Sequence, residues 1–240
     1  MADLQGKYAL VAGGTGGVGE GIVLSLLRAG ATVIVPIRDL KKADRLQDYV
    51  AGIDSGELIF VEGTLDTEEN ALKLRDDVHK VIADLDLVVV SLGGWWQGLP
   101  LTSIPLDTWN TIVADNLTSH FLSIRAFIPL LNPKSGIYFH INGYSSELPY
   151  PLAAPIATMA AAQKMMIQTL AEELKPTNLK VYELILGPIK TRQRLEHSAG
   201  KENWYYPEEI GDYIGNLVTT KPTQVIHRLL EKKGQKEAEQ

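Results

Sequence analysis

The chain has 240 residues, of which 45% are hydrophobic and 22% charged, with a formal net charge of −6 and no cysteine. That composition supports a folded core without staples and excludes disulfides, thiolate metal sites and cysteine nucleophiles. The acidic balance argues against electrostatic binding to nucleic acid or to an anionic membrane, and no apolar run reaches the ~20 residues of a membrane helix.

Val-, Ile- and Leu-rich runs alternate with longer amphipathic stretches along the whole chain. The pattern predicts strands at 8–12, 32–35, 58–61 and 87–91, separated by helices over 17–29, 40–50 and 67–83. A long helix over 106–131 leads to a strand at 137–141, and a helix over 156–174 to a strand at 180–186. A helix over 207–217 and a strand at 224–229 close the pattern. Near-continuous apolar strands with helical crossovers read as a doubly wound parallel α/β sheet, Rossmann-like, in a single domain over 1–230. The charged tail, 231–240, is expected to fray. The polar N-terminus runs directly into a strand and does not read as a signal peptide, so a cytoplasmic protein is expected.

Val11-Ala12-Gly13-Gly14-Thr15-Gly16-Gly17-Val18-Gly19 lies between the first strand and the first helix. Glycines there allow a tight turn and close approach of backbone to a pyrophosphate, which the helix N-terminus then attracts. Three glycine spacings fit at once: 14, 16 and 19; 13, 17 and 19; or 13, 16 and 19. The context of strand before and helix after makes a dinucleotide site the expected reading. Arg38 follows the second strand, where an arginine suits the 2′-phosphate of NADP and an acid suits the ribose of NAD. NADP(H) is therefore favoured over NAD(H). The neighbouring Asp39 either serves NAD or starts the next helix.

Further motifs follow in a telling order: Asn116 within Asn110-Thr111-Ile112-Val113-Ala114-Asp115-Asn116-Leu117, then Leu186-Gly187-Pro188-Ile189-Lys190-Thr191, then Pro207-Glu208-Glu209-Ile210. With the glycine loop, these resemble the short-chain dehydrogenase/reductase family over about residues 7–217. The resemblance implies a nicotinamide nucleotide held by Gly13, Thr15, Gly17, Val18, Gly19, Arg38, Thr64, Gly93, Ile189 and Thr191. It also implies a small-molecule ligand and a homodimer or homotetramer built on the long helices.

The family's usual chemistry uses an Asn, a Ser and a Tyr-x-x-x-Lys pair, the tyrosine protonating a carbonyl oxygen as hydride arrives. Aligning Leu170-Ala171-Glu172-Glu173-Leu174 with the family's L-A-x-E-L puts the tyrosine slot at Ile156 and the lysine slot at Ala160. The family's interval then puts the serine slot at Gly143. Asn116 is the remnant of the set. Gly63 stands where an aspartate near adenine is usual. Candidate surrogates are Tyr144, Tyr150, His140 and Lys164, with His120 one turn beyond Asn116. Trp95, Trp96, Trp204, Tyr205 and Tyr206 are expected either to line a pocket or to cap the core. The histidines show no metal-ligand grouping. Three functions follow: a nucleotide-binding family member without ordinary carbonyl reduction, an NADP-linked oxidoreductase with a non-standard proton donor, or a non-enzymatic interaction protein.

Overall fold

Strands whose residues are apolar on both faces need cover on both sides, and the computed structural model, which describes residues 2–197 and 200–232, shows how it is supplied. The strands are β1 (Tyr8–Ala12), β2 (Thr32–Ile37), β3 (Glu57–Glu62), β4 (Leu87–Val90), β5 (Ile137–Gly143), β6 (Lys180–Leu186) and β7 (Ile226–Leu229). The helices are α1 (Gly19–Arg28), α2 (Leu40–Tyr49), α3 (Glu68–Val81), α4 (Leu106–Val113), α5 (Ser119–Phe127), α6 (Ala154–Glu173), α7 (Arg192–Glu196) and α8 (Pro207–Thr220). The sheet runs β3-β2-β1-β4-β5-β6-β7 and is parallel throughout.

The two-residue period of a strand divides each one between two cores. Ala9 and Val11 of β1 join Leu87 and Val89 of β4 under α1, α2 and α8. Leu10, Ala12, Val88 and Val90 face the opposite side, with Leu74, Phe127 and Ile167 from α3, α5 and α6. A smaller cluster of Ile112, Ile156 and Met159, with Trp96 and Trp109 packed on it, lies at the end of the sheet where the strands finish. Among the described residues, no helix is long and apolar enough to cross a membrane.

The structure corrects several expected boundaries. The first helix begins at Gly19 and not at Gly17, because the glycines before it are spent on the turn. Asp39 caps α2, its carboxylate accepting from Lys41 N at 3.0 Å, and it also lines the hollow beside Arg38. The long helix expected over 106–131 is broken in two. A π turn at Ala114–Thr118 separates α4 from α5, and a 3₁₀ turn containing Pro129 ends the run. Apolar periodicity registers a helical face but is blind to a slip of one hydrogen-bond register. Helix α7 was not expected. Of the tail, Glu231 and Lys232 are anchored and not frayed: Asn203 donates to the Glu231 carboxylate, and Lys232 N donates to Asn203 O. The rest, 233–240, lies outside the described residues.

Phe139 of β5 is fully buried, with its ring centroid 5.4 Å from that of Tyr182 on β6. Phe139→Ala should cost about 3–5 kcal/mol. Urea unfolding should show this as a lower midpoint with an unchanged slope.

Candidate functional site

The chain leaves β1 toward β2 on one side of the sheet, and β4 toward β5 on the other. A crevice opens where those connections part, which is where α/β sheets bind ligands. Gly13 sits at its root with φ +84°, and a Cβ there would lie 2.1 Å from the carbonyl oxygen of Ser91. Gly19 is as tight, its Cβ position 2.1 Å from Gly13 O. At the mouth, Thr191 packs its methyl on Gly17, 3.0 Å from where a Cβ would stand. Val18 at the start of α1 has no side-chain cap; in the first turn Glu20 N donates to Gly16 O at 2.8 Å, which ties the helix start to the glycine turn.

Two arms meet over Gly16 and the segment Ser91-Leu92-Gly93-Gly94. One, about 400 Å³, is lined by Gly13, Thr15, Arg38, Lys42, Thr64 and Gly93 among others. Arg38 makes no ion pair or side-chain hydrogen bond among the described residues, so its guanidinium is free for an anion. Thr64 donates instead to Asp66 at 2.6 Å. The other arm, about 540 Å³, is lined by Gly17, Val18, Asn116, Gly143, Tyr144, Tyr150, Ile156, Ala160, Ile189 and Thr191. The fold therefore brings the cofactor residues expected from sequence to one continuous cleft, Gly19 acting from just behind it.

The slots at Gly143, Ile156 and Ala160 lie together on the wall of the second arm, and none carries a polar side-chain atom. Ile156 and Ala160 are 7% and 6% exposed. Asn116 stands in the π turn, where its side-chain carbonyl accepts from Gly94 N at 3.0 Å. Its own backbone carbonyl accepts from the Gln163 side-chain amide. Gln163, buried and one turn beyond Ala160, escaped the sequence reading; a lone amide in a run of Ala and Met was the available signal.

The surrogates separate cleanly. Tyr144 and Tyr150 line the cleft, Tyr150 packing edge-on against Trp95 with centroids 5.5 Å apart. The loops carrying that pair are tied by Gly98 N to Leu152 O at 2.9 Å, and Leu152 holds a left-handed φ of 65°. Lys164 does not lean into the cleft. Its ammonium lies 2.7 Å from Glu147, which Arg228 grips from the other side at 2.6 Å.

His140 is fully buried behind the cleft wall, Nε2 3.0 Å from His120 Nδ1 and Nδ1 3.5 Å from Glu183 Oε1. Asn142 extends this buried chain to the cleft, donating to Glu183 Oε1 and to Ala160 O, both at 2.9 Å. Burial, and then the neighbouring His140, push the pKa of His120 well below its usual value, so it is neutral. Neither histidine reaches a ligand directly.

Of Trp95, Trp96, Trp204, Tyr205 and Tyr206, Trp95 lines the cleft, and Trp96 packs on the small core. Trp204, Tyr205 and Tyr206 sit outside it, stacked under Arg194, Lys232 and Lys190. Helix α7 is clamped over the start of α1 by Arg192, which meets both carboxylate oxygens of the buried Glu20 at 2.7 and 2.5 Å. Arg194, Gln193 and Ser145 also line the cleft and were missed. Among the described residues, no group of three His, Asp or Glu could hold a metal.

A sequence model described as short chain dehydrogenase matches residues 7–202. A rhamnolipids biosynthesis 3-oxoacyl-[acyl-carrier-protein] reductase from Pseudomonas aeruginosa is 35% identical over 132 residues, spanning 53% of this chain but only about half, 49%, of that protein. The reductase FabG of Aquifex aeolicus is 29% identical over 93% of this chain and 96% of its own. Among solved structures, the Pseudomonas aeruginosa RhlG/NADP complex superposes with a TM-score of 0.81 at 24% identity, covering 95% of each chain.

The Glu147 carboxyl has its pKa pulled from 4.5 down to about 2, chiefly by the Arg228 guanidinium and then by Lys164. Its contribution is therefore complete above pH 4.5 and disappears as pH falls toward 2. Glu147→Gln should be less stable than the parent at neutral pH. Urea midpoints measured down the acid range should converge across that window.

Proposed function

Because the chain belongs to the short-chain dehydrogenase family, we propose that it binds a nicotinamide nucleotide across the cleft but does not carry out the family's ordinary carbonyl reduction. The observation that carries this reading is the cleft wall itself: Gly143, Ile156 and Ala160 offer no acid, no ammonium and no hydroxyl. The nucleotide half is intact. Backbone N–H groups of the glycine turn and α1 fit a pyrophosphate, and the uncommitted Arg38 fits a 2′-phosphate, which favours NADP(H) over NAD(H). Thr191 and Ile189 stand at the far end for the nicotinamide. The NADP named in the Pseudomonas complex is consistent with that choice. Gly63 removes one contact and Ala160 another, so affinity should fall below that of a complete family member.

A bound nicotinamide supplies a hydride; the chain must supply a proton and polarise the acceptor. A positioned acid is worth about 10²–10⁴-fold and an oxygen-directed donor about 10²–10³-fold. Such groups act as a unit, so the combined defect should be roughly 10⁴-fold or more. Asn116 does not offset it, since its amide is committed to Gly94 and carries no titratable proton. A second reading, an oxidoreductase with a non-standard donor, is favoured by Tyr144 and Tyr150, both of which present phenols to the cleft.

One preparation decides between these readings. A fluorescence titration should show saturable NADPH binding, with no turnover of a broad carbonyl panel. Arg38→Ala should weaken NADPH binding by about 1–3 kcal/mol and leave NADH binding unchanged. A turnover number of about 1–10³ s⁻¹ would establish the second reading. Absence of nucleotide binding would leave the interaction protein.

The chain should also self-associate as a homodimer or homotetramer through α5 and α6, which leave Phe121 and Met165 exposed at 47% and 64%. Light scattering at micromolar concentration should give at least twice the mass of one chain. The mass of one chain would refute this.

A further inference from the structure

We propose that the buried chain of Glu183, His140 and His120 is a pH-sensitive clasp beneath the cleft. With the His120 ring neutral it holds down the loop after β4, and one added proton on that ring releases the loop. The proposal goes beyond the nucleotide-binding reading and rests on it for one readout alone.

The chain crosses three elements and ends under the cleft. His140 and Glu183 stand opposite each other in the register of β5 and β6. His120 reaches them from α5, its ring centroid 4.8 Å from that of His140. The contact atoms are His120 Nδ1 and His140 Nε2, 3.0 Å apart, and His140 Nδ1 lies 3.5 Å from Glu183 Oε1. The His120 ring also faces the backbone of Leu92. Leu92 belongs to the segment over which the two arms of the cleft meet.

This chain has no room for an extra proton. Two ring nitrogens 3.0 Å apart share one hydrogen, and a hydrogen on each would set donor against donor. All three side chains are 0% exposed. Among the described residues His120 Nε2, His140 Nδ1 and Glu183 Oε2 have no hydrogen-bond partner. A new charge on His120 thus meets neither water nor a matched acceptor until the loop lifts and wets the ring. Burial, and then His140, hold its pKa well below the usual 6.5, against the opposing pull of the Leu92 backbone. The closed form therefore binds fewer protons than the open form. Its advantage is complete above pH 6.5 and shrinks as pH falls below that value. One proton changes the open-to-closed ratio by up to about tenfold per pH unit.

The surrounding charges are committed elsewhere. Arg228 of β7 acts on Glu183 while it grips Glu147, and Lys164 of α6 is tied to the same Glu147. Glu68 of α3 pairs with Arg125 on α5. Tyr138, two residues before His140 on β5, is a fully buried phenol whose pKa burial raises, so it stays neutral. Among these groups only the imidazoles are of the kind that titrates between about pH 5 and 8.

The test uses the full chain with isotope-labelled histidine, taken from about pH 8 to about pH 5. Ring-nitrogen NMR signals follow the protons on His120 and His140. Hydrogen exchange follows the amides of Ser91 and Gly94, which are bonded to Ala12 O and Asn116 Oδ1 at 2.9 and 3.0 Å. Corrected for the intrinsic effect of pH on exchange, their protection should fall about tenfold or more, with the midpoint at which His120 gains its proton. Amides in the middle of β1 should keep theirs. His120→Gln and His120→Phe should both abolish the pH-dependence at Ser91 and Gly94. NADP⁺ affinity should fall with protection in the parent and fall less in the variants. Constant protection in the parent overturns the proposal, as does loss of protection while His120 stays neutral. An unchanged pH-dependence in either folded variant also overturns it. If neither variant folds, coincidence of the two midpoints in the parent decides. If the parent binds no NADP⁺ at any pH, the nucleotide reading falls alone, and exchange still decides the clasp.

Discussion

The contact between Gly13 and the carbonyl of Ser91 governs the architecture of the cleft. Any side chain at Gly13 would collide with that oxygen, and Ser91 N in turn donates to Ala12 O at 2.9 Å. The loops after β1 and β4 are therefore pinned together at their roots while their continuations diverge to opposite faces of the sheet. Everything with a proposed role hangs from that junction. The glycine turn presents the start of α1 on one side, and Gly93 and Gly94 reach Asn116 on the other. A wider junction would separate the two arms into unrelated hollows.

Polar groups behind the cleft wall are organised for rigidity. Asn116, Asn142 and Gln163 each spend their amides on backbone or on buried carboxylate, joining α4, the π turn, α6, β5 and β6 across the floor. Neutral His120 and its partner His140 fill the space between β5 and α5 without reaching a ligand. Buried amide networks of this kind fix a shape and are costly to disturb. The cleft is consequently a preformed recess, with the Arg38 guanidinium making no ion pair among the described residues at one end.

Much of this was legible in the residues because strands and glycine turns are local in their demands. Runs such as Leu87–Val90 can only be covered on both faces, and a glycine turn between strand and helix has few uses. Arg38, Thr191, Gly143, Ile156 and Ala160, singled out by counting, all line the cleft. Long-range pairing was the part that could not be read. Lys164 was a reasonable neighbour for Ala160 until Glu147 and Arg228 claimed it from another loop and another strand. His140 showed no sign in its neighbours of the buried company it keeps. The π turn was hidden because a one-residue slip leaves the apolar stripe intact.

Ile156 shows what an apolar residue does at the edge of this cleft. The side chain there is packed with Ile112 and Met159 and covered by Trp96 and Trp109. It is part of the hydrophobic contact that joins α4 to α6. The side chain therefore serves the cleft wall and the small core at once. A polar replacement at this position would have to be accommodated by every residue packed on it, so its cost is shared between α4, α6 and the loop carrying Trp96.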